Sequence, residues 1–272
     1  MNNLTSTIKS HPVVAFYILA FVISWLGWIP QALYGRGLSS FDSPLLNFLA
    51  VGGPTLAAVI VILLIKEKGG LRKLFGALFK LRISFIWYVF VFGFWFVVVA
   101  IVLGIRATFG QALPSFSQFG WIGLFPIFVY MLLTNLWEEI GWRGFALPRL
   151  QKSINDLKIV LIMGLLGSLW HFPLMVNPTS SMSRLPWYGF IISILSLTVI
   201  YTWLYEHTRG SLFFVSVFHA MSNTVAFALL RLGISESTYL PVVGITAACA
   251  IAILLAYGPQ RFTKASPTSE GS

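Results

Sequence analysis

Residues 121–148 read WIGLFPIFVYMLLTNLWEEIGWRGFALP, an apolar segment that also contains Glu138, Glu139 and Arg143. A helix of about 20 apolar residues crosses the ~30 Å hydrocarbon core of a bilayer. The length of this segment therefore predicts a membrane span. A charged side chain inside a span is strongly unfavourable unless it is paired, so these three residues need a structural or a functional reason.

The composition of the whole chain supports a membrane protein. The 272 residues are 57% hydrophobic and 10% charged, whereas a soluble domain averages about 25% charged residues. Apolar segments long enough to span a bilayer lie at roughly 12–34, 45–65, 83–105, 121–148, 158–176, 186–205, 210–230 and 239–257. We expect an all-α, polytopic integral membrane protein: a single membrane domain over 1–272 with a bundle of about eight transmembrane helices.

The distribution of Lys and Arg predicts the orientation of this bundle. Thirteen of the 18 lie in the N-terminus, the C-terminal tail and the loops 66–82, 149–158 and 206–209, and four lie in the loops on the other side. The positive-inside rule then places both termini in the cytoplasm, and we expect the plasma membrane of a prokaryote. Segment 66–82 reads as an amphipathic cytoplasmic helix at the lipid headgroups, and 260–272 as a disordered tail.

The net charge of +10 has a membrane explanation. The basic residues flank apolar segments, where they meet anionic lipid headgroups, and no motif that reads a nucleic-acid groove accompanies them. We therefore expect membrane lipid as a partner and no nucleic acid. The sequence predicts no oligomeric state.

Few ionisable residues lie deep inside the predicted spans. They are Glu138, Glu139, Arg143, His171 and His219. Glu139 and Arg143 have the favourable i,i+4 order for an ion pair, so we assign them mainly to structure. Glu138 projects about 100° away from Glu139 on the same helix and has no such partner, which leaves it available for chemistry.

Four polar residues share one depth in the predicted bundle. Glu138, His171, His219 and Asn223 each lie about 14–20 Å from the cytoplasmic end of their span, at ~1.5 Å per residue. His219 and Asn223 are also i,i+4 and face the same way. A carboxylate can act as general base toward water, one imidazole can orient that water or protonate the leaving amine, and Asn with the second His can stabilise an oxyanion. The set predicts a hydrolase of peptide bonds.

Three motifs on these helices resemble a known family. EEIGWR (138–143) matches E-E-x-x-x-R, LLGSLWHFPL (165–174) resembles the second motif, and FHAMSN (218–223) matches H-x-x-x-N. Together, over about 120–230, they resemble the intramembrane proteases that comprise type II CAAX prenyl endopeptidases and bacteriocin-processing proteins, also called CPBP or Abi proteins. The second motif is often written F-x-x-x-H, and Gly167 stands at the Phe position here.

The resemblance implies roles for the same residues. Glu138 would activate water with His171, His219 and Asn223 would form the oxyanion site, and Glu139 and Arg143 would support the first Glu. The substrate would be a membrane-associated peptide or lipidated protein, either a prenylated CAAX protein or a bacteriocin or signal-type peptide. We favour a mechanism without a cofactor. The alternative is zinc held by Glu138, His171 and His219 with an open fourth position.

Two other functions use the same residue types. A proton- or ion-coupled transporter can relay protons through intramembrane Glu and His, although no internal repeat is evident. A non-catalytic membrane member of the family is the other alternative. Cleavage of membrane peptides, measured with and without Glu138, distinguishes them.

Overall fold

The computed structural model describes residues 3–41, 43–117 and 120–263, and over these ranges the chain is helical without strands. The helices are α1 (Asn3–Ser10), α2 (Pro12–Gly35), α3 (Pro44–Leu64), α4 (Gly70–Gly76), α5 (Phe85–Thr108), α6 (Leu124–Glu139), α7 (Leu147–Leu150), α8 (Asp156–Trp170), α9 (Phe172–Val176), α10 (Trp187–His207), α11 (Leu212–Arg231) and α12 (Ser235–Tyr257). A π-helical segment, Ile140–Ala146, joins α6 to α7.

Eight helical stretches of the described chain are long and apolar enough to cross a membrane. They coincide with the eight predicted segments, which confirms the all-α, multi-pass architecture. The largest shift at a boundary is at the last span, which begins at Ser235 rather than near 239. Many of their large apolar side chains are exposed, among them Ile18, Phe96 and Leu255, as expected for surfaces that face lipid tails.

Two glycines bring α2 and α3 into close contact. A Cβ on Gly27 would overlap the carbonyl oxygen of Leu46, and a Cβ on Gly53 would overlap the hydroxyl of Ser24. Small residues at such crossings allow helix backbones to approach in a membrane, where packing replaces the hydrophobic effect as the driving force. This pair of helices forms one wall against which the π-helical segment packs.

The loops rich in Lys and Arg meet at one end of the bundle, here called the basic end. Lys80 Nζ donates to the carbonyl of Arg209 over 2.8 Å, and Arg149 Nη2 pairs with Glu67 over 2.5 Å. At the other end, the Arg36 guanidinium donates to the carbonyl of Val176. The loops therefore alternate between two ends as predicted, while their orientation in a membrane stays a prediction.

Segment 66–82 is packed against the protein. It contains α4 and one 3-10 turn (Ala77–Phe79). Leu74 is 3% exposed and joins the main apolar core, whereas Phe79 is 78% exposed. Most of the apolar face of this segment therefore covers the bundle, and only its end is free to meet lipid.

The prediction of a disordered tail from residue 260 is wrong for residues 260–263. The backbone amide of Phe262 donates to Asp156 Oδ2 over 2.9 Å, and the Phe262 side chain is fully buried. Arg261 Nη1 donates to Asp156 Oδ1 over 2.8 Å. The composition of the tail could not predict these contacts, because they join residues about one hundred positions apart. The remainder of the predicted tail, 264–272, lies outside the described residues.

Two predicted spans depart from regular α-helix at the motif residues. The fourth span changes from α- to π-helix directly after Glu139, and single π turns occur frequently at functional sites. The fifth span breaks at His171, where α8 ends and α9 begins. Pro173 follows two residues later and cannot donate to the preceding helical turn.

Candidate active site inside the membrane

The six predicted site residues differ in burial in a consistent way. Glu138, His171, His219 and Asn223 are each half-buried. The two residues assigned to support are buried, with Glu139 0% and Arg143 6% exposed. The residues assigned to chemistry are thus the ones that a substrate or water can reach.

Glu139 is the centre of the hydrogen-bonded part of the site. Its Oε1 accepts from Arg143 Nη1 at 3.2 Å and from His219 Nδ1 at 2.9 Å. The predicted Glu139–Arg143 pair is therefore present. The second contact was not predicted: Glu139 also orients His219, because an imidazole that donates from Nδ1 to a carboxylate turns its Nε2 away from that carboxylate.

Tyr201 on α10 lies beside both partners of Glu139. The Arg143 guanidinium carbon is 4.9 Å from the Tyr201 ring centroid, within range of a cation–π contact. The same ring lies 5.1 Å from the His219 ring. Tyr201 is 4% exposed, so it forms a buried wall that restricts how Arg143 and His219 can move.

Asn223 is held by a residue that the sequence reasoning did not select. Its Nδ2 donates to Asn135 Oδ1 over 3.1 Å. Asn135 is on α6, one helical turn before Glu139, and is 1% exposed. A carboxamide within the fourth span was the available signal, but Asn135 lies outside the three motifs and its partner is on another helix.

His171 lies in an aromatic pocket at the break between α8 and α9. Its Nδ1 is 2.7 Å from the carbonyl oxygen of Gly167. A carbonyl can only accept, so Nδ1 must carry the proton and Nε2 has a free lone pair when the ring is neutral. The ring stacks on Trp28 at 5.9 Å and contacts Trp170 and Phe190 at 4.7 and 5.5 Å.

The position of Gly167 explains why this chain tolerates its departure from the F-x-x-x-H pattern. Its contribution to His171 is a backbone carbonyl, which any residue supplies. A Cβ at this position would meet Ile194 Cγ2 at 3.4 Å, an ordinary van der Waals distance.

Glu138 lies near the other charged groups of the site and has no hydrogen bond to them. Its charge interacts with those of His219, Glu139 and Arg143, and His171 and His219 likewise lie within electrostatic range of each other. Within the ranges that the structure describes, no side chain or backbone group donates to the Glu138 carboxylate. The carboxylate is therefore free to accept a proton from a bound molecule.

Helix α3 holds the backbone around Glu138. The Thr55 hydroxyl donates to the carbonyl of Trp137, the residue before Glu138. Gly141 lies against Pro54, where a Cβ would be 2.5 Å from the Pro54 carbonyl carbon. Only glycine permits this approach, because it has no Cβ. The π-helical segment therefore packs directly on the backbone of α3.

The described residues contain no group of three His, Cys, Asp or Glu side chains placed to hold a metal ion together. The proposed zinc ligands Glu138, His171 and His219 thus do not form a three-ligand set in this arrangement. Both Nδ1 atoms are already engaged, by Gly167 and Glu139. Nε2 of each ring therefore remains available, and the choice between the zinc alternative and a mechanism without a cofactor stays a prediction.

The arrangement combines an unpaired carboxylate, an imidazole with a free lone pair, and a fixed imidazole–carboxamide pair on α11. A carboxylate and a lone pair can both accept protons from one water molecule. The imidazole and the carboxamide can donate to an oxygen that gains negative charge. These are the parts needed to add water to an acyl group and to stabilise the tetrahedral intermediate.

Comparison with known proteins leads in the same direction. Residues 119–225 match the family model described as type II CAAX prenyl endopeptidase Rce1-like, and this range contains all three motifs. The chain is also 30% identical over 268 residues to a CAAX prenyl protease 2 of Methanococcus maripaludis. That alignment covers 92% of this chain and 95% of the relative, so the similarity includes the spans that precede the motifs.

Proposed function

The chain belongs to the Rce1-like family of type II CAAX prenyl endopeptidases and is a multi-pass intramembrane protease, and we propose that Glu138 activates the water that cleaves the peptide bond. Membership of this family favours the hydrolase function over the alternative of a proton- or ion-coupled transporter. The single observation that carries the proposal is the contrast between adjacent carboxylates: Glu139 is paired twice, whereas Glu138 is half-buried and unpaired among the described residues.

Water is activated between Glu138 and His171. One hydrogen of the water is donated to the Glu138 carboxylate and the other to Nε2 of His171, which is unprotonated because Nδ1 donates to Gly167. The water oxygen then has a lone pair directed at the substrate carbonyl carbon. As the C–O bond forms, Glu138 takes the proton, and it returns this proton to the amine nitrogen when the C–N bond breaks.

His219 and Asn223 stabilise the oxyanion. The hydrogen bond from His219 Nδ1 to Glu139 directs Nε2 away from the carboxylate, and a protonated His219 offers Nε2–H to the oxyanion. The second N–H of the Asn223 carboxamide completes the pair of donors.

The substrate is a peptide, and we propose that it is a membrane-associated C-terminal segment, prenylated as in the CAAX substrates named for the relative. The reacting groups lie inside spans, and exposed apolar side chains of α6, such as Leu133 at 57%, give a lipid-attached chain a surface to follow. A bacteriocin or signal-type peptide is the alternative substrate. Membrane lipid is the second partner.

The location that we propose is a prokaryotic plasma membrane with both termini in the cytoplasm. The basic loops meet at one end of the bundle, and the positive-inside rule assigns that end to the cytoplasm. The C-terminal residues Arg261 and Phe262 dock at the same end.

The test is cleavage of a farnesylated CAAX peptide by purified protein in liposomes, compared with Glu138→Gln. This change keeps shape and removes the base, so kcat should fall by about 10²–10⁴-fold, the usual contribution of a general base, with the midpoint of thermal unfolding unchanged. Glu206→Gln, the same change at the basic end, is the matched control and should retain activity within about twofold. Wild-type cleavage that persists in Glu138→Gln would exclude this mechanism.

A separate measurement addresses the metal. We expect kcat/KM to be unchanged after exhaustive chelation followed by dialysis into metal-free buffer, because the three candidate ligands do not form a common site. Loss of cleavage that is restored by stoichiometric zinc would establish the zinc mechanism instead.

A further inference from the structure

Helices α6 and α11 present two polar side chains each to the other, one helical turn apart. On α6 these are Asn135 and Glu139, and on α11 they are His219 and Asn223. The two helices belong to the fourth and seventh spans and so run antiparallel. The α6 residues are almost completely buried, at 1% and 0% exposed, while the α11 residues are half-buried and face the site.

These four side chains form two successive hydrogen-bonded pairs. His219 Nδ1 contacts Glu139 Oε1 at 2.9 Å, and Asn223 Nδ2 donates to Asn135 Oδ1 at 3.1 Å. Because the helices are antiparallel, a step of four residues forward on α11 matches a step of four backward on α6. Glu139 is thus the partner of His219, and Asn135 is the partner of Asn223. Each of the two proposed oxyanion residues has a buried hydrogen-bond partner on α6.

An asparagine that serves as an oxyanion donor needs such a partner. Its terminal torsion is broad, and the carboxamide can present either its NH2 group or its oxygen. An oxygen turned toward the oxyanion would repel it. The Asn135 oxygen accepts one N–H of Asn223, which holds the NH2 group in place and leaves its second N–H for the substrate.

The surroundings of Asn135 favour the same orientation. Glu138 and Glu139 follow it by three and four residues, the positions that face Asn135 on a helix, and negative charge there attracts its NH2 group rather than its oxygen. The oxygen is left for Asn223. In the described part of the chain Asn135 Nδ2 is buried without a hydrogen-bond partner, so this amide is poorly suited to a purely structural role, which an apolar side chain would fill better.

We propose that Asn135 is a positioning residue that fixes the Asn223 carboxamide with an N–H directed at the carbonyl oxygen of the substrate. Asn135 touches neither substrate nor water and acts through Asn223. The inference rests on the oxyanion role given to Asn223 in the proposed function.

A double-mutant cycle in full-length protein tests this inference with the farnesylated CAAX peptide as probe. Asn135→Ser is the first variant, because a serine is too short to reach Asn223 and can donate to its own helix, as Ser196 does to the carbonyl of Ile192. Asn223→Ala and the double variant complete the cycle. Thr134→Val is the neighbouring control, since the Thr134 hydroxyl donates only to carbonyls of its own helix.

We expect Asn223→Ala to lower kcat by about 10²–10³-fold, as the loss of one oxyanion donor does. Asn135→Ser should lower kcat by about tenfold or more with KM within about twofold, and should have no further effect in the Asn223→Ala background. The midpoint of thermal unfolding should change little. Thr134→Val should match wild type.

Two results would overturn the inference: full activity of Asn135→Ser, or an undiminished additional loss when it is combined with Asn223→Ala. Should Asn135→Ser fail to fold, Asn135→Leu replaces it in the same cycle and is read by the same criteria. The failure of the proposed function is distinguishable, because in that case Asn223→Ala itself would remain active whatever Asn135 does.

Discussion

Two polar clusters in this protein place carboxylates out of water, and they do so differently. At the basic end, Asp156 is fully buried and accepts hydrogen bonds from Gln151, Arg261 and the Phe262 amide. In the middle of the spans, Glu139 is equally buried and paired, but the adjacent Glu138 is not. Both oxygens of Asp156 accept hydrogen bonds, whereas in the intramembrane cluster Glu139 accepts through Oε1 alone and Glu138 accepts none from the described residues.

The difference shows how to separate structure from chemistry in a membrane protein. A buried carboxylate with a complete set of donors stabilises a particular arrangement of chain segments. A half-buried one without donors is unfavourable for folding and persists when function requires it. Substitutions that break the paired carboxylates should leave the contrast with Glu138 measurable.

Arg143→Ala should have the largest effect on stability. It removes the guanidinium from a carboxylate that is 0% exposed and leaves only His219 as its partner, so the free energy of unfolding should fall by about 3–5 kcal/mol, as for other broken buried pairs. Unfolding in detergent micelles, followed by circular dichroism, measures it.

The matched control for Arg143→Ala is Arg149→Ala at the basic end. The Arg149–Glu67 pair is partly exposed, with side chains 18% and 35% accessible, so its loss should lower stability by about 1 kcal/mol or less. Equal losses from the two changes would contradict the distinction between intramembrane and peripheral pairs.

Asp156→Ala should have the next largest effect, and on stability alone. It releases Arg261 and the Phe262 amide together. Because the Arg261 side chain is 42% exposed, water can solvate it, and we expect a loss of about 1–3 kcal/mol. Cleavage per folded molecule should stay within about twofold of wild type, and a large fall in kcat of the folded fraction would show that the docked C-terminal segment takes part in catalysis.

Gly141→Ala should have a smaller effect on stability and a specific one on activity. The added methyl group would lie 2.5 Å from Pro54, and overpacking of this kind lowers stability by about 1–3 kcal/mol. The displacement falls on the π-helical segment directly after Glu138 and Glu139, so kcat should fall as well. Peptide cleavage and thermal unfolding measure the two effects.

Gly167→Ala is the comparison for Gly141→Ala and should have the smallest effect of the series. Its methyl group would meet Ile194 at 3.4 Å, an ordinary contact, and the carbonyl that accepts from His171 is retained. We expect a change below about 0.5 kcal/mol and normal activity. A severe loss from Gly167→Ala would indicate that the backbone at the second motif is more constrained than the structure suggests.

Much of the architecture was predictable from local sequence. Each span is recognisable by itself, because a bilayer requires about 20 apolar residues with internally satisfied backbone groups. Counting residues along spans that alternate in direction also predicted a common depth for Glu138, His171, His219 and Asn223. The roles of these residues remain proposals until the variants are measured.

Other features depended on contacts between distant segments. The pairing of Glu139 with His219 joins residues 80 positions apart, and that of Asn135 with Asn223 joins residues 88 apart. Neither has a local pattern, and the i,i+4 spacing of Glu139 and Arg143 suggested a self-contained pair. The docking of Arg261 and Phe262 on Asp156 was missed for the same reason.

The sequence by itself determined that this chain is a bundle of eight spans and that a few polar residues must meet inside it, because the free energy of placing apolar and charged groups in a bilayer is a property of each segment. Only the tertiary structure decided which carboxylate is paired and which is free. That outcome depends on the π-helical turn after Glu139, on the close contact between Gly141 and Pro54, and on the register between α6 and α11. All three are set by packing between segments that are distant in sequence.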